Sequence, residues 1–264
     1  MVTAMKIVID DKIPYIREAI ASLAADAVYK KGAEIGPADV RDADALIVRT
    51  RTRCDERLLG GSSVRFVATA TIGFDHIDAD YMRRAGIEWM SCPGCNAGSV
   101  AQYMRSVFLL MKRDLGLPLG GLTLGIVGCG HVGSKVKAVA EEYGMRTLVC
   151  DPPRQERGDE GRFVTMADIE READVITFHV PLAKDGPHPT YHLADEAFFS
   201  RLSRRPIIVN TSRGAVVDNG ALLGALINNK VAQAVIDTWE HEPDIDRRLL
   251  ERAWIATPHI AGYS

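Results

Sequence analysis

The stretch Gly128-Cys129-Gly130-His131-Val132-Gly133 constrains the fold more than any other, because an apolar run precedes it and a helical pattern follows. Leu122 to Val127 reads as a buried parallel strand, and His131 to Tyr143 as a helix with Val132, Val136, Val139 and Ala140 inward. A second strand, Arg146 to Cys150, ends at Asp151. In such a unit Gly128 permits the tight turn, Gly130 lets backbone approach a pyrophosphate, and Gly133 lets helix and strand pack closely. The helix start offers N–H groups and a positive dipole end to phosphates. Asp151 would accept hydrogen bonds from a ribose diol and repel a 2′-phosphate, which favours NAD over NADP. The expected cofactor is NAD, held at Gly128, Gly130, His131, Val132, Gly133 and Asp151.

The chain has 264 residues, more than one ordinary domain, and 47% of them are apolar, enough for a substantial core. A net charge of −3 argues against a general nucleic-acid partner. Met1 to Asp10 lacks a signal-peptide layout, and no run approaches the length of a membrane-spanning helix. The odd count of 5 cysteines, without a secretory signal, fits reduced thiols. These features predict a cytoplasmic globular protein with no membrane or nucleic-acid partner.

Strands and helices alternate along the sequence. Lys6–Asp10, Asp44–Val48, Arg65–Ala70 and Ile87–Met90 read as strands, and Ile13–Leu23 and Asp78–Ala85 have helical spacing. Asp78 is expected to cap its helix. Pro93-Gly94 is a turn pair suited to a hinge, after which Asn96 is placed to cap a helix running to Lys112. Further strands read Asp174–Phe178, Pro206–Asn210, Val231–Ile236 and Ala253–Ala256. This pattern predicts two doubly wound α/β domains with parallel sheets, a flavodoxin-like one over residues 1–94 and a Rossmann NAD-binding one over residues 95–264.

Open α/β sheets bind ligands at the carboxyl ends of their strands, and the polar residues collect there. His179 ends one strand; Asn210, Thr211, Ser212, Arg213 and Gly214 end another; Asp237, Glu240 and Glu242 follow a third, and His259 the last. An arginine fork binds a carboxylate through two parallel hydrogen bonds. A histidine can take a hydroxyl proton, and a carboxylate behind it orients the ring and stabilises its charged form. An arginine, an acid and a histidine at neighbouring strand ends therefore suit oxidation of an alcohol.

The segments G-I-V-G-C-G-H-V-G, N-T-S-R-G-A-V-V-D, D-T-W-E-H-E-P and T-P-H-I-A-G resemble the D-2-hydroxyacid dehydrogenase family. The similarity runs over essentially the whole chain. A-T-A-T-I-G-F-D-H-I-D, P-G-C-N-A and C-D-P-P-R-Q-E-R-G-D-E-G look like the branch acting on a four-carbon 2-hydroxy acid phosphorylated at C4, in pyridoxal phosphate biosynthesis. The resemblance implies an NAD-dependent dehydrogenase with Arg213, Glu242 and His259 as its catalytic trio. It implies NAD contacts at Asp151, Thr211, Ser212, Arg213, Asp237 and Gly262. The family's threonine just past the strand-end histidine is Val180 here, so only a backbone contact carries over. Substrate contacts are implied at Thr50, Thr71 and Tyr263, with backbone of Ile72 and Gly73 near the carboxylate. A small phosphorylated 2-hydroxy acid is the implied partner. Relatives continue into a return helix and a dimerisation domain, and this sequence stops at Ser264 before either; homodimerisation is expected where that region is present.

Other readings stay open. The substrate could be another 2-hydroxy acid, such as 3-phosphoglycerate or glycerate, or the chain could be a non-catalytic NAD-binding module. Arg49, Arg51 and Arg53 alternate along a strand end, which would put them on one face suited to a phosphate. Cys92-Pro-Gly-Cys95 before a helix has the layout of a thioredoxin-like redox site. His76, His131, His188, His192 and His241 lack metal-ligand spacing, so they are expected at the surface or in packing and no metal is expected.

Overall fold

Strand–helix alternation builds each half of the chain. The computed structural model describes residues 5–23, 25–71 and 73–263, so Ile72, assigned above to the substrate carboxylate, lies outside the described residues. The chain divides into two units, Met1–Cys95 and Asn96–Ser264.

The first unit has five parallel strands: β1 (Met5–Asp10), β2 (Ala25–Lys30), β3 (Ala45–Val48), β4 (Phe66–Thr69) and β5 (Glu88–Met90). Their order is β2-β1-β3-β4-β5, the flavodoxin-like arrangement. Alternate residues face opposite sides, as strand geometry requires. Ile7, Ile9 and Ala45 pack with Ile20 on one face, whereas Val8, Leu46 and Val48 pack with Leu59 and Met82 on the other. Strand β2 was not expected from sequence: it is an edge strand, exposed or half-buried throughout, and carries no apolar run. The helix preceding it covers only Ile16–Ala21. Asp78 caps the helix Ala79–Ala85 by accepting from the Tyr81 N–H at 2.8 Å.

The segment after β3 departs from expectation. The chain turns, with the Thr52 N–H donating to the Arg49 carbonyl at 3.3 Å. The cause is Thr52 itself, which is buried and donates its hydroxyl to the Gly32 carbonyl at 2.8 Å. Arg49, Arg51 and Arg53 therefore do not alternate along an extended face. Arg49 donates to the Lys12 carbonyl at 3.0 Å, and Arg53 pairs with Asp55 at 3.0 Å.

The second unit has six parallel strands: β6 (Thr123–Val127), β7 (Arg146–Cys150), β8 (Val175–Phe178), β9 (Ile207–Asn210), β10 (Gln233–Ile236) and β11 (Ile255–Ala256). Their order is β11-β10-β9-β8-β6-β7, and a parallel bridge from Val149 to Phe163 adds the rudiment of a strand beyond β7. Strand order reverses beside β6, so the crevice at its carboxyl end is the switch point where such sheets bind ligands. Both faces are covered. Val175, Val209 and Val235 pack with Met104, Phe108 and Val136, while Ile176, Ile208 and Ile236 pack with Phe198, Leu222 and Trp239.

The helix Ala97–Asp114 buries Val100, Met104, Val107, Phe108 and Met111, the spacing of one helical stripe. Asn96 stands at its N-cap position but makes no side-chain capping bond, which corrects the sequence expectation. Its side chain turns to Gly262 instead, where an added Cβ would lie 2.5 Å from Asn96 Nδ2. Among the described residues, no helix is long and apolar enough to cross a membrane.

Candidate active site

The glycine turn follows β6 directly. Gly128 has φ 86°, and a Cβ there would lie 2.6 Å from Val180 Cγ1 and 2.7 Å from the His179 carbonyl. A Cβ on Gly133 would collide with the Gly128 carbonyl, so only glycine lets the helix His131–Glu142 start so close to β6. At Gly130 the reverse holds: an added Cβ meets nothing within 4 Å. This open side of the turn lies beside the first amides of the helix, those of His131, Val132 and Gly133, which have no main-chain acceptor one turn back. The turn thus offers a bare backbone and free donors, which fits a dinucleotide pyrophosphate.

Asp151 stands at the end of β7, where its Oδ2 accepts the Cys129 N–H at 2.7 Å and its Oδ1 accepts the Arg154 N–H at 3.1 Å. An ionised carboxylate has about four acceptor positions, so two are left for a ribose diol. His179 and Val180 follow β8. The His179 ring lies 3.0 Å from Thr177 Oγ1 and 3.4 Å from Thr211 Oγ1, and burial pushes its pKa down to about 3. It is a neutral ring that fixes the Thr211 hydroxyl.

The loop after β9 carries Arg213 and is wrapped around buried Asn210. Asn210 Oδ1 accepts from the Ser212 N–H at 3.1 Å and hydroxyl at 2.9 Å, and its Nδ2 donates to the Arg213 carbonyl at 2.9 Å. Ser212 is thereby largely buried. A Cβ on Gly214 would collide with the Trp239 carbonyl, so glycine is what lets this loop touch the one after β10.

That second loop carries Glu242. Its Oε1 accepts the Trp239 N–H at 2.7 Å, and its Oε2 lies 2.9 Å from His259 Nδ1. Burial pushes the Glu242 carboxyl up, but the His259 and Trp239 hydrogen bonds and the charges of His259 and Arg213 outweigh it and hold the pKa below the ordinary range. Arg213, the third member of the expected trio, donates from Nη1 to the Ser212 carbonyl at 2.8 Å, and its charge is among those acting on Glu242. His259 keeps 46% of its side-chain surface exposed, enough to meet a substrate.

Buried Asp237 holds the loop that presents His259. Its Oδ1 accepts the Thr257 hydroxyl at 2.6 Å and the Ile260 N–H at 2.8 Å, and its Oδ2 accepts the Ala261 N–H at 2.9 Å. His259 itself has φ 57°, an uncommon backbone state for a side chain with a Cβ. In the first unit, Thr71 donates to the Gly73 carbonyl at 2.8 Å and lies 2.7 Å from Thr69 Oγ1, which in turn meets His76 Nε2 at 2.9 Å. Thr50 and Tyr263 are exposed.

This arrangement of a glycine turn, an acid at the end of β7 and a histidine–carboxylate pair has relatives. Residues 98–261 match the family profile described as D-isomer specific 2-hydroxyacid dehydrogenase, NAD binding domain. The chain belongs to this family. The dehydrogenase is 55% identical over 260 residues to an erythronate-4-phosphate dehydrogenase of Bacteroides thetaiotaomicron, covering 98% of this chain and 75% of the relative. It is 47% identical to one of Citrobacter koseri, covering 98% and 68%. Among solved structures it is similar to D-lactate dehydrogenase of Aquifex aeolicus complexed with NAD and lactic acid, with TM-score 0.81 and 27% identity, covering 98% and 89%. The dehydrogenase uses NAD to act on a 2-hydroxy acid.

Several functional side chains escaped the sequence reading. Asn210 was read only as one of the polar residues at its strand end, not as the holder of the Arg213 loop, and Thr257 carried no signal for its bond to Asp237. His192, expected at the surface or in packing, pairs with Glu240 at 2.7 Å, and Glu240 also accepts the Asn219 N–H at 2.8 Å. Cys92 and Cys95 are both exposed. Among the described residues no cluster of histidine, cysteine and acid could hold a metal.

Proposed function

We propose that this dehydrogenase oxidises the C2 hydroxyl of 4-phospho-D-erythronate to 3-hydroxy-2-oxo-4-phosphooxybutanoate, a step of pyridoxal phosphate biosynthesis. The observation that carries the chemistry is the His259–Glu242 pair. Glu242 is held ionised and an ionised carboxylate only accepts, so in the neutral form of the ring the proton sits on Nδ1 and Nε2 carries the lone pair. Nε2 is then the atom that removes the substrate hydroxyl proton. As His259 becomes charged, the Glu242 carboxylate at 2.9 Å stabilises it. Arg213 binds the substrate carboxylate through its guanidinium fork and holds C2 beside His259. NAD held at the Gly128–Gly133 turn and Asp151 would supply the acceptor for the hydride that leaves C2. Thr50, Thr71 and Tyr263 are the proposed substrate contacts, Thr71 being fixed by its bonds to Thr69 and Gly73.

The substrate rests on the extent of similarity to relatives named for it. A binding module without catalysis would not account for a carboxylate-backed histidine beside an arginine. A cytoplasmic setting fits the odd number of cysteines. NADH formation measured with 4-phospho-D-erythronate, 3-phosphoglycerate and glycerate tests the reading. The highest kcat/KM is expected for 4-phospho-D-erythronate; preference for either other acid would overturn the substrate and leave the proton chemistry intact.

A further inference from the structure

Arg154 lies three positions past Asp151, and both residues grip Cys129. Asp151 takes the Cys129 N–H at 2.7 Å, while Arg154 Nη1 donates to the Cys129 carbonyl at 2.7 Å. The Arg154 guanidinium therefore sits at the same turn as the ribose-side acid. A guanidinium in that neighbourhood is what a 2′-phosphate would recruit, because its fork matches phosphate oxygens. Here the fork is occupied. Arg154 Nε donates to Asp159 Oδ2 at 2.7 Å, and the Asp159 N–H returns to the Arg154 carbonyl at 3.1 Å, closing the segment on itself. Arg157 shares the same Asp159 oxygen at 3.2 Å. The hydrogen bonds of Arg154 and then Arg157 hold the Asp159 carboxyl below its ordinary range. Arg154 and Asp159 keep only 28% and 29% of their side-chain surface exposed, and the Phe163 ring lies 5.7 Å from the guanidinium. This is a half-buried, two-point pair, less screened than an exposed one.

We propose that the Arg154–Asp159 pair determines coenzyme selectivity: Arg154 fixes the glycine turn against Asp151, and Asp159 withholds the guanidinium from a 2′-phosphate. Asp151 repels the phosphorylated coenzyme, and Asp159 engages the guanidinium at the same turn that would offset that repulsion. The pair thus acts on the coenzyme through position and charge without taking part in proton transfer. Neutralising Asp159 leaves Arg154 held only by the Cys129 carbonyl, with its fork open.

The test is fluorescence titration of the full chain with NADH and with NADPH, without any hydroxy acid, so it does not depend on the proposed substrate. In Asp159→Asn the ratio of the NADPH to the NADH dissociation constant should fall roughly tenfold, the worth of one charge-assisted hydrogen bond. Adding Arg154→Met to that variant should abolish the gain, because the gain belongs to the guanidinium. An unchanged ratio in Asp159→Asn, or a gain that survives Arg154→Met, would overturn the proposal. Asp159→Ala, which removes the charge and leaves the Arg154 side chain in place, provides the same readout should the amide form a new bond.

Discussion

His259 and Glu242 meet at 2.9 Å although they follow different strands, β11 and β10, and Glu242 is itself pinned by the Trp239 N–H at 2.7 Å. The acid therefore orients the ring from a fixed point. His259→Ala is expected to lower kcat by about 10²–10⁴-fold, the usual worth of a positioned acid–base group, with NADH affinity retained. Glu242→Gln should give a smaller loss in kcat, again without weakening NADH. Stopped-flow turnover beside NADH titration checks both; full turnover in His259→Ala would remove it as the base.

The turn glycines separate fold from cofactor. Gly133→Ala drives a Cβ into the Gly128 carbonyl and should lower thermal stability by roughly 1–3 kcal/mol, as overpacking does. Gly130→Ala meets open space, so it should cost less stability and lose NADH binding instead. Melting curves with and without NADH distinguish the two. Equal effects of both substitutions on both readouts would contradict the assignment of Gly130 to the ligand side.

Burial holds His179 down to about 3, so the folded protein binds no proton there over a range where the unfolded chain, near its ordinary pKa of about 6.5, does. The unfolded state takes up the extra proton, so the contribution of His179 to stability is complete above that ordinary value. It is lost as pH falls toward the folded value. In His179→Gln the fall of melting temperature between neutral and acidic pH should be shallower than in the unsubstituted protein. Parallel slopes would mean that the ring is protonated in the fold.

Asp237 accepts three donors from the loop bearing His259, two of them main-chain amides. Asp237→Asn turns an amide group toward one of those donors and should cost about 1–3 kcal/mol, the price of a buried donor left unmade. A lower urea midpoint together with reduced kcat is the expected result. Reduced NADH affinity with unchanged kcat would instead make Asp237 chiefly a cofactor contact.

The doubly wound fold was legible because its strands are continuous apolar runs and its turns are marked by glycine and acid; β6 is buried at every residue. Edge strand β2 was not, since half-exposed residues leave no such run. Arg213, Glu242 and His259 were legible as residue types at strand ends and through family resemblance. What sequence could not supply was who holds them. The partners of Asn210, Asp237 and Thr257 are set by loops that meet only after the sheet has formed. The arginines after β3 misled for a related reason: one buried hydroxyl, that of Thr52, bends a segment whose alternation looked extended. Asn96 shows the limit of local rules, since its position is that of a cap while its side chain packs at Gly262.

The loop bearing His259 is suspended from Asp237 by the amides of Ile260 and Ala261, and the Ile260 side chain is itself 42% exposed. An anchor made of backbone is blind to what hangs from the α-carbon. Residue 260 can therefore be exchanged for any residue that keeps a main-chain N–H, proline alone excepted, while the loop stays tied to Asp237.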